Sequence, residues 1–441
     1  AKQMPRRPIP GQPRDLDKSM LSATLLLVCL GPAAAAFNVS GHRRCTKDQA
    51  HTQTARLRQR FAEKWAHSAC PSEDWFELLR ETGFWEWRLN GFTRPARERR
   101  LVMYDIGCNK GYKSAHLLSA FRREASIFPA GLFKAISHII RKEKMELDRP
   151  CGVCNDCGVG RGARVGPTST NVHMREGEPD LPVTVHCFEP SVPLHKLLLR
   201  ARSTLCKLSS TSGICNGHPP VGSDGAGAAA EREVDARMPE AGDEWFAAAD
   251  WWFIHNVGVH RRNTTLFHDT SCSHEKCVLG AKAGPGMHPV QIVSVDEWHG
   301  SRPGPVDLIK IDTEGSDPAV LKGAMATLAQ WQPLVSFEYN PGLSAPNMWR
   351  RVSLTAVVKM LDDAGYDCYY DSDPRGDGGK GSVPRGPALY LITGGCLRST
   401  TAGTDDGVDN RAHGISGWAN VVCVPRNFAP AANAFRQMAT A

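Results

Sequence analysis

From residue 101 onward, short apolar runs alternate with stretches of helical periodicity, and the boundaries are marked by glycine, proline and acidic residues. Residues 101–104 read as a buried strand. They run into Asp105-Ile106-Gly107-Cys108-Asn109-Lys110-Gly111, a turn where Gly107 and Gly111 allow backbone angles or close approaches that a Cβ forbids. A helix from Ser114 to about Glu124 follows. Residues 183–188 form a second strand ending in Glu189-Pro190, residues 251–255 a third, and residues 306–311 a fourth, interrupted by Asp307 and Lys310. Pro318 then starts a helix at a favoured first-turn position, and Val320, Leu321, Ala324 and Leu328 recur at the spacing that packs one helix face on a sheet. Trp331-Gln332-Pro333 ends that helix, and residues 334–337 give another strand, ending in Glu338. Residues 352–361 carry a further helix, closed by Gly365-Tyr366 before residues 367–370. Residues 388–392 offer a final strand and residues 418–424 an edge strand, while residues 399–411 and the last dozen are expected to be loosely ordered.

Strands alternating with helices predict an α/β protein with a mostly parallel sheet, which binds ligands outside the carboxyl ends of its strands. The turn after the first strand is then a cofactor site, with bare backbone at Gly107 and Gly111 for a ligand to rest on. A dinucleotide site would show Gly-x-Gly-x-x-Gly, and a phosphate loop would end in Lys-Ser/Thr; neither pattern is present. Glu189, at the end of the second strand, is placed to hold a ribose diol with two hydrogen bonds; its alternative is a solvated strand end. Asp312 and Glu314 reach the same crevice from the fourth strand. Either carboxylate could take a proton from a substrate, or bind a divalent cation that acidifies a substrate hydroxyl. Glu314 could also be a helix-start carboxylate favoured by the N-terminal dipole. Lys310 and Lys322 read as a strand-flanking and a solvated charge.

Taken together, Tyr104-Asp105-Ile106-Gly107-Cys108-Asn109-Lys110-Gly111-Tyr112, Val295-Asp296-Glu297-Trp298, and Asp307-Leu308-Ile309-Lys310-Ile311-Asp312-Thr313-Glu314-Gly315 with the helix after it resemble an FkbM-type methyltransferase. The resemblance implies a Rossmann-like class I methyltransferase fold, a mostly parallel seven-stranded sheet with helices on both faces. It implies S-adenosylmethionine as cofactor, held by Asp105, Gly107, Asn109, Gly111 and Glu189, with Asn256 near it after the third strand. Asp312 and Glu314 would stand at the reacting centre, and the reaction would be O-methylation of a sugar, glycan or other small metabolite. The rival readings are a binding protein that keeps the fold without catalysis and a nucleic-acid methyltransferase.

The 441 residues, 41% of them hydrophobic, suit one catalytic domain with additions. The expected organisation is a targeting segment at 1–36, an N-terminal helical cap or linker at 37–100, the methyltransferase domain at 101–395 and a C-terminal extension at 396–441. Two loop-rich insertions, at about 125–180 and 209–241, stretch the domain. The first contains Cys151, Cys154 and Cys157, a spacing that suits zinc but lacks a fourth ligand; His173 and Cys187 are nominations, and disulfides are the alternative. Cys272 with Cys277 suggests a short disulfide, and Cys368, Cys396 and Cys423 suggest similar bonds. Cys108 reads as a small packing residue.

Basic residues, the apolar run 21–30 and the small residues 33–36 form an export signal cleaved before Phe37, or an uncleaved anchor. The run is shorter than the about 20 residues that span a bilayer. Secretory passage is the expected route, supported by sequons at Asn38 and Asn263 and by fifteen cysteines, with a two-part plastid signal as the alternative. A net charge of +7 and arginine clusters without interleaved aromatics give no nucleic-acid face. Residues 62–87, with Trp65, Trp75, Trp85 and Trp87, are expected to form a helical lid or cap over the sheet, with an aromatic sugar platform as the alternative.

Overall fold

The chain order of the strands reverses at one point in the sheet, and that reversal places the site. A computed structural model describes residues 46, 48, 75–92, 99–121, 128–145, 181–208, 252–269, 279–300, 302, 304–340, 348–372, 388–394, 396 and 419–440. Its elements begin with helices α1 (Trp75–Glu81) and α2 (Phe84–Gly91), then strand β1 (Leu101–Ile106), α3 (Tyr112–Phe121), α4 (Phe128–Glu143), β2 (Val183–Phe188), α5 (Val192–Leu208) and β3 (Trp252–His255). Next come β4 (Gly258–Val259), β5 (Thr264–Asp269), β6 (Met287–Val293), α6 (Val295–Gly300), β7 (Leu308–Ile311), α7 (Asp317–Lys322), α8 (Met325–Trp331) and β8 (Leu334–Tyr339). The chain finishes with α9 (Leu354–Asp363), β9 (Tyr366–Ser372), β10 (Ala388–Leu391), β11 (Ala419–Pro425) and α10 (Ala429–Thr440).

The main sheet has eight strands in the order β10-β9-β11-β8-β7-β1-β2-β3. Pairings are parallel from β3 through β8, and β11 runs antiparallel to both β8 and β9. The expected mostly parallel sheet is present as seven strands, with β10 added antiparallel at the edge. Successive strands step outward from β1 to β3 and then resume at β7 on the other side of β1, so the switch point lies between β1 and β7. A smaller sheet, β4-β6-β5, was not anticipated; Pro289 and the exposed residues of β5 and β6 interrupt the apolar signal there.

Side chains alternate across the sheet with period two. Leu101, Met103, Val183, Val185, Leu308 and Leu334 face α1 to α5 and α10, whereas Tyr104, Ile106, Ile309, Ile311, Val335 and Phe337 face α6 to α9. Val320, Leu321, Ala324 and Leu328 are all fully buried, as their spacing predicts, but Val320 and Leu321 lie on α7, Leu328 on α8, and Ala324 is the cap between them. The break falls at Gly323, where a Cβ would lie 2.5 Å from the His260 carbonyl oxygen.

Five expectations are corrected. The span 125–180 is not all loop-rich, because it opens with α4, whose Leu132, Ala135, Ile136 and Ile139 are buried in the core. The stretch 396–441 is not an extension and its end is not loose: β11 lies inside the sheet rather than at its edge, and α10 buries Ala431, Ala432 and Phe435. Asp367 holds this stretch in place, accepting from Arg426 Nε at 2.7 Å and Arg436 Nη2 at 2.6 Å. Helices α1 and α2 pack on the sheet as a cap and not as a lid over the predicted site or as an aromatic platform. Trp75, Phe76, Phe84 and Trp85 lie in the core, and the fully buried Arg88 pairs with Asp307 at 2.8 Å while donating to the carbonyls of Val306 and Trp331. Asp307 also accepts from the Val102 amide at 2.8 Å, so α2 is fixed at the amino-terminal end of β1 and β7, opposite the predicted site.

The cysteine reading is corrected as well. Cys108 is not a free packing residue and Cys187 is not a thiolate ligand, because the two form a disulfide between the glycine turn and β2. Cys368 and Cys423 are joined across β9 and β11, and Cys396 is also disulfide-bonded. Cys151, Cys154, Cys157, His173, Cys272, Cys277, Trp65, both targeting readings and the 209–241 insertion lie outside the described residues. Among the described residues no helix is long and apolar enough to cross a membrane.

Candidate active site

At the carboxyl end of β1 the backbone turns through three left-handed residues, Gly107 (φ 77°), Asn109 (φ 51°) and Gly111 (φ 73°). Asn109 is the one that pays the Cβ penalty of this conformation, which its short polar side chain tolerates better than most. The two glycines serve different contacts. A Cβ on Gly107 would lie 1.8 Å from the Asp312 carbonyl oxygen, so the turn presses directly on the backbone that follows β7. A Cβ on Gly111 would lie 2.8 Å from Leu198 and Trp252, so that glycine lets α3 start close against α5 and β3. The amides of Gly107 and Cys108 donate to the Phe188 carbonyl, at 3.1 and 3.3 Å, and the Asp312 amide donates to the Ile106 carbonyl at 2.9 Å. Three strand ends are thereby drawn into one crevice, with the disulfide as a covalent tie between two of them.

Glu189 is turned inward rather than solvated. Its Oε1 accepts from the Ser191 amide at 2.8 Å and the carboxylate also accepts from the Asn109 amide, joining the end of β2 to the glycine turn. Burial pushes its pKa up to about 8, opposed by those two hydrogen bonds; the nearby Asp105 adds to the rise and Lys110 offsets it. Asn256 does not reach outward with its amide: Nδ2 donates to the carbonyls of Glu189 and Pro190, at 3.0 and 3.3 Å, and so holds the loop that carries Glu189. Asp105 is fully buried, accepting from Ser114 Oγ at 2.6 Å.

Lys310 corrects the reading of a strand-flanking charge. It pairs in register with Asp105, and its Nζ lies 3.4 Å from Asp105 Oδ1 and 3.2 Å from Asp312 Oδ2. One ammonium thus bridges the glycine turn and the acidic loop. Asp312 is the exposed partner, with 42% of its side chain accessible. Glu314 is half-buried and left-handed (φ 52°), followed by Gly315 (φ 97°). Two further acids complete the cluster. Fully buried Asp317 accepts from Thr313 Oγ1 at 3.3 Å and the Gly315 amide at 3.2 Å, and burial, with Asp312 beside it, raises its pKa to about 7. Glu338 is also buried, and burial first, then Asp312, Asp317 and Glu314, hold its pKa well above the ordinary carboxyl value.

The structure therefore brings Asp105, Gly107, Asn109, Gly111, Glu189 and Asn256 to one side of the crevice and Asp312 and Glu314 to the other. Lys310, Asp317 and Glu338 were missed as site residues. Alternation along β7 could have found Lys310, since it is two positions before Asp312 and on the same side as Asp105; only pairing across β7 and β8 adds Glu338. Such a set can hold a polar ligand on one side and accept or return a proton on the other. Among the described residues no three His, Cys, Asp or Glu side chains are arranged to hold a metal ion.

Residues 263–368 match the family model described as the methyltransferase FkbM domain. That stretch contains Asp312, Glu314, Asp317 and Glu338; the glycine turn and Glu189 precede it. The chain is also similar to a crystal structure of methyltransferase FkbM from Methylobacillus flagellatus KT, at 12% identity and a TM-score of 0.28, over 78% of this chain and 59% of that one. The chain thus spans about 59% of the length of that relative. No curated protein matches. The acidic loop, the β7 and β8 strands and the helices between them all lie inside the stretch that matches the FkbM methyltransferase domain.

Proposed function

We propose that the chain is an S-adenosylmethionine-dependent methyltransferase acting on a hydroxyl of a sugar, glycan or other small metabolite. The observation that supports this reading is the contact of Gly107 with the Asp312 carbonyl, which sets the glycine turn and the acidic loop side by side at the switch point of the sheet.

The residues present fit the cofactor. Asn109 Oδ1 is buried with no hydrogen-bond partner among the described residues, and so is free to accept from a ligand. Glu189 uses two of the roughly four acceptor sites of a carboxylate on backbone amides, leaving others for a ribose diol. When bound, S-adenosylmethionine supplies a sulfonium methyl as electrophile. The protein's share is to align the acceptor oxygen and remove its proton. Asp312, exposed and held by Lys310, is the residue to take that proton, with Glu314 flanking it in the same loop. Lys310 keeps Asp312 and Asp105 in fixed relation and so couples the two halves of the crevice.

The buried disulfides support folding in an oxidising compartment, in keeping with the expected secretory route. The test is methyl transfer from isotope-labelled S-adenosylmethionine to a panel of sugars, glycans and small alcohols, read by mass spectrometry. Labelled ether on at least one acceptor, lost in Asp312→Asn, is expected; label appearing only on RNA would overturn the acceptor class.

A further inference from the structure

Glu338 is an acid of the crevice that lies outside both the glycine turn and the acidic loop. It lies on β8, two residues after Ser336, which pairs in register with Lys310, so Glu338 stands on the Asp105 and Lys310 side of the sheet. Its exposure is 6%, against 42% for the side chain of Asp312. Oε1 accepts from Asn340 Nδ2 at 3.3 Å, while Oε2 has no donor among the described residues. Asp312 follows Ile311, whose register partner is Phe337, so its carboxyl and that of Glu338 leave adjacent strand ends on the same side of the sheet, where a hydrogen bond can join them. Two carboxyl groups can make such a bond only if one of them carries a proton. Three acids surround Glu338, namely Asp312 and Glu314 in the loop after β7 and Asp317 at the start of α7. Its register neighbour on β11 is the uncharged Asn420, and the nearby cation Lys310 is engaged by Asp312 and Asp105. The buried member, beside three acids, is the one to keep the proton.

We propose that Glu338 is a positioning residue for the reaction: its protonated carboxyl donates a hydrogen bond to Asp312 and holds that carboxylate, with Lys310 on its other side, toward the acceptor hydroxyl. This rests on the proposed methyl transfer. In that step the acceptor oxygen bonds to the methyl carbon, the carbon–sulfur bond breaks with its electron pair left on sulfur, and the acceptor proton passes to Asp312. Glu338 keeps its own proton throughout. Its role is to fix the direction of the Asp312 lone pair, since a base even slightly misdirected loses much of its effect.

The test compares Glu338→Gln, which still donates a hydrogen bond from the same place, with Glu338→Ala, which does not. Glu338→Gln is expected to keep kcat within a few-fold of wild type, and Glu338→Ala to lose on the order of 100-fold in kcat with little change in KM. In wild type, kcat should fall as alkali removes the Glu338 proton, and this limb should vanish in Glu338→Gln, which a merely structural role would not produce. Loss as large in Gln as in Ala, or an unchanged alkaline limb in Gln, overturns the proposal. Infrared difference spectra of wild type minus Glu338→Gln at neutral pH read the proton without turnover: a protonated-carboxyl carbonyl band is expected, and an ionised-carboxylate band in its place overturns the proposal. Failure of cofactor binding would instead sink the methyltransferase reading and leave the infrared result standing on its own.

Discussion

Replacing Gly107 by alanine tests whether the glycine turn presses on the acidic loop. Two costs add. A left-handed backbone (φ 77°) costs a residue with a Cβ about 1–2 kcal/mol. The new Cβ would also lie 1.8 Å from the Asp312 carbonyl oxygen and 2.7 Å from its carbon, backbone atoms that no rotamer change can move aside. Relieving that overlap needs a shift of the turn or of the segment after β7, for which overpacking costs of about 1–3 kcal/mol are usual. The expected loss is therefore about 2–5 kcal/mol. Gly286 is the control: its φ is 75° and a Cβ there meets nothing within 4 Å, so Gly286→Ala should cost only the conformational part, about 1–2 kcal/mol. Urea unfolding of both variants with disulfides intact measures the difference, and calorimetry of S-adenosylmethionine binding measures its local consequence. Gly107→Ala should be the less stable by about 1–3 kcal/mol and should lose cofactor binding, while Gly286→Ala keeps it. Equal stability losses with binding intact in both would refute the contact.

Replacing both Cys108 and Cys187 by alanine opens a tie between residues 79 apart in sequence, a loop for which chain entropy gives about 4.5 kcal/mol as an upper value. Urea unfolding should show a loss of about 2–4 kcal/mol, together with weaker cofactor binding by calorimetry; unaltered stability and binding would remove the disulfide from the account. Arg88→Met leaves Asp307 buried without its cation, so about 3–5 kcal/mol should be lost, and Arg88→Met/Asp307→Asn should recover part of it in a double-mutant cycle. Asp317 is an acid whose folded pKa, about 7, stands above the ordinary 3.8. Its contribution to stability is therefore intact below about 3.8 and lost progressively as pH rises to about 7. Asp317→Asn should flatten the decline of melting temperature across that window, and a variant curve parallel to wild type would contradict the assignment.

Much of the fold is legible in the chain because strands buried on both faces read as apolar runs wherever they occur. Residues 183–188 and 334–337 are found at once, and helix starts are marked by chemistry, as at Pro318. Helix α4 was absorbed into an insertion because its apolar stripe is bordered by long polar segments rather than by strand signals. The placement of β11 between β8 and β9 depends on pairing across the sheet, which no local pattern encodes. The site shows the same division. Gly107, Asn109, Asp312 and Glu314 announce themselves as a turn and an acidic loop. Their mutual contact, the disulfide beside them, the bridging role of Lys310 and the pairing of Glu338 with Asp312 come from residues far apart in sequence or across neighbouring strands. Even where Glu189 and Asn256 were found, the direction of their side chains, inward to Ser191, Asn109 and the Glu189 carbonyl, could only be seen in three dimensions.

The most direct test of the account is calorimetric titration of the folded chain with S-adenosylmethionine and S-adenosylhomocysteine, with NAD as control and with Glu189→Ala and Glu189→Gln alongside. Saturable binding of both sulfur compounds is expected, with none of NAD; binding should be lost in Glu189→Ala and retained in part in Glu189→Gln, which keeps one oxygen for the backbone amides. A folded chain that binds neither sulfur compound, or binds them equally well with alanine at 189, would contradict the cofactor site proposed for this crevice.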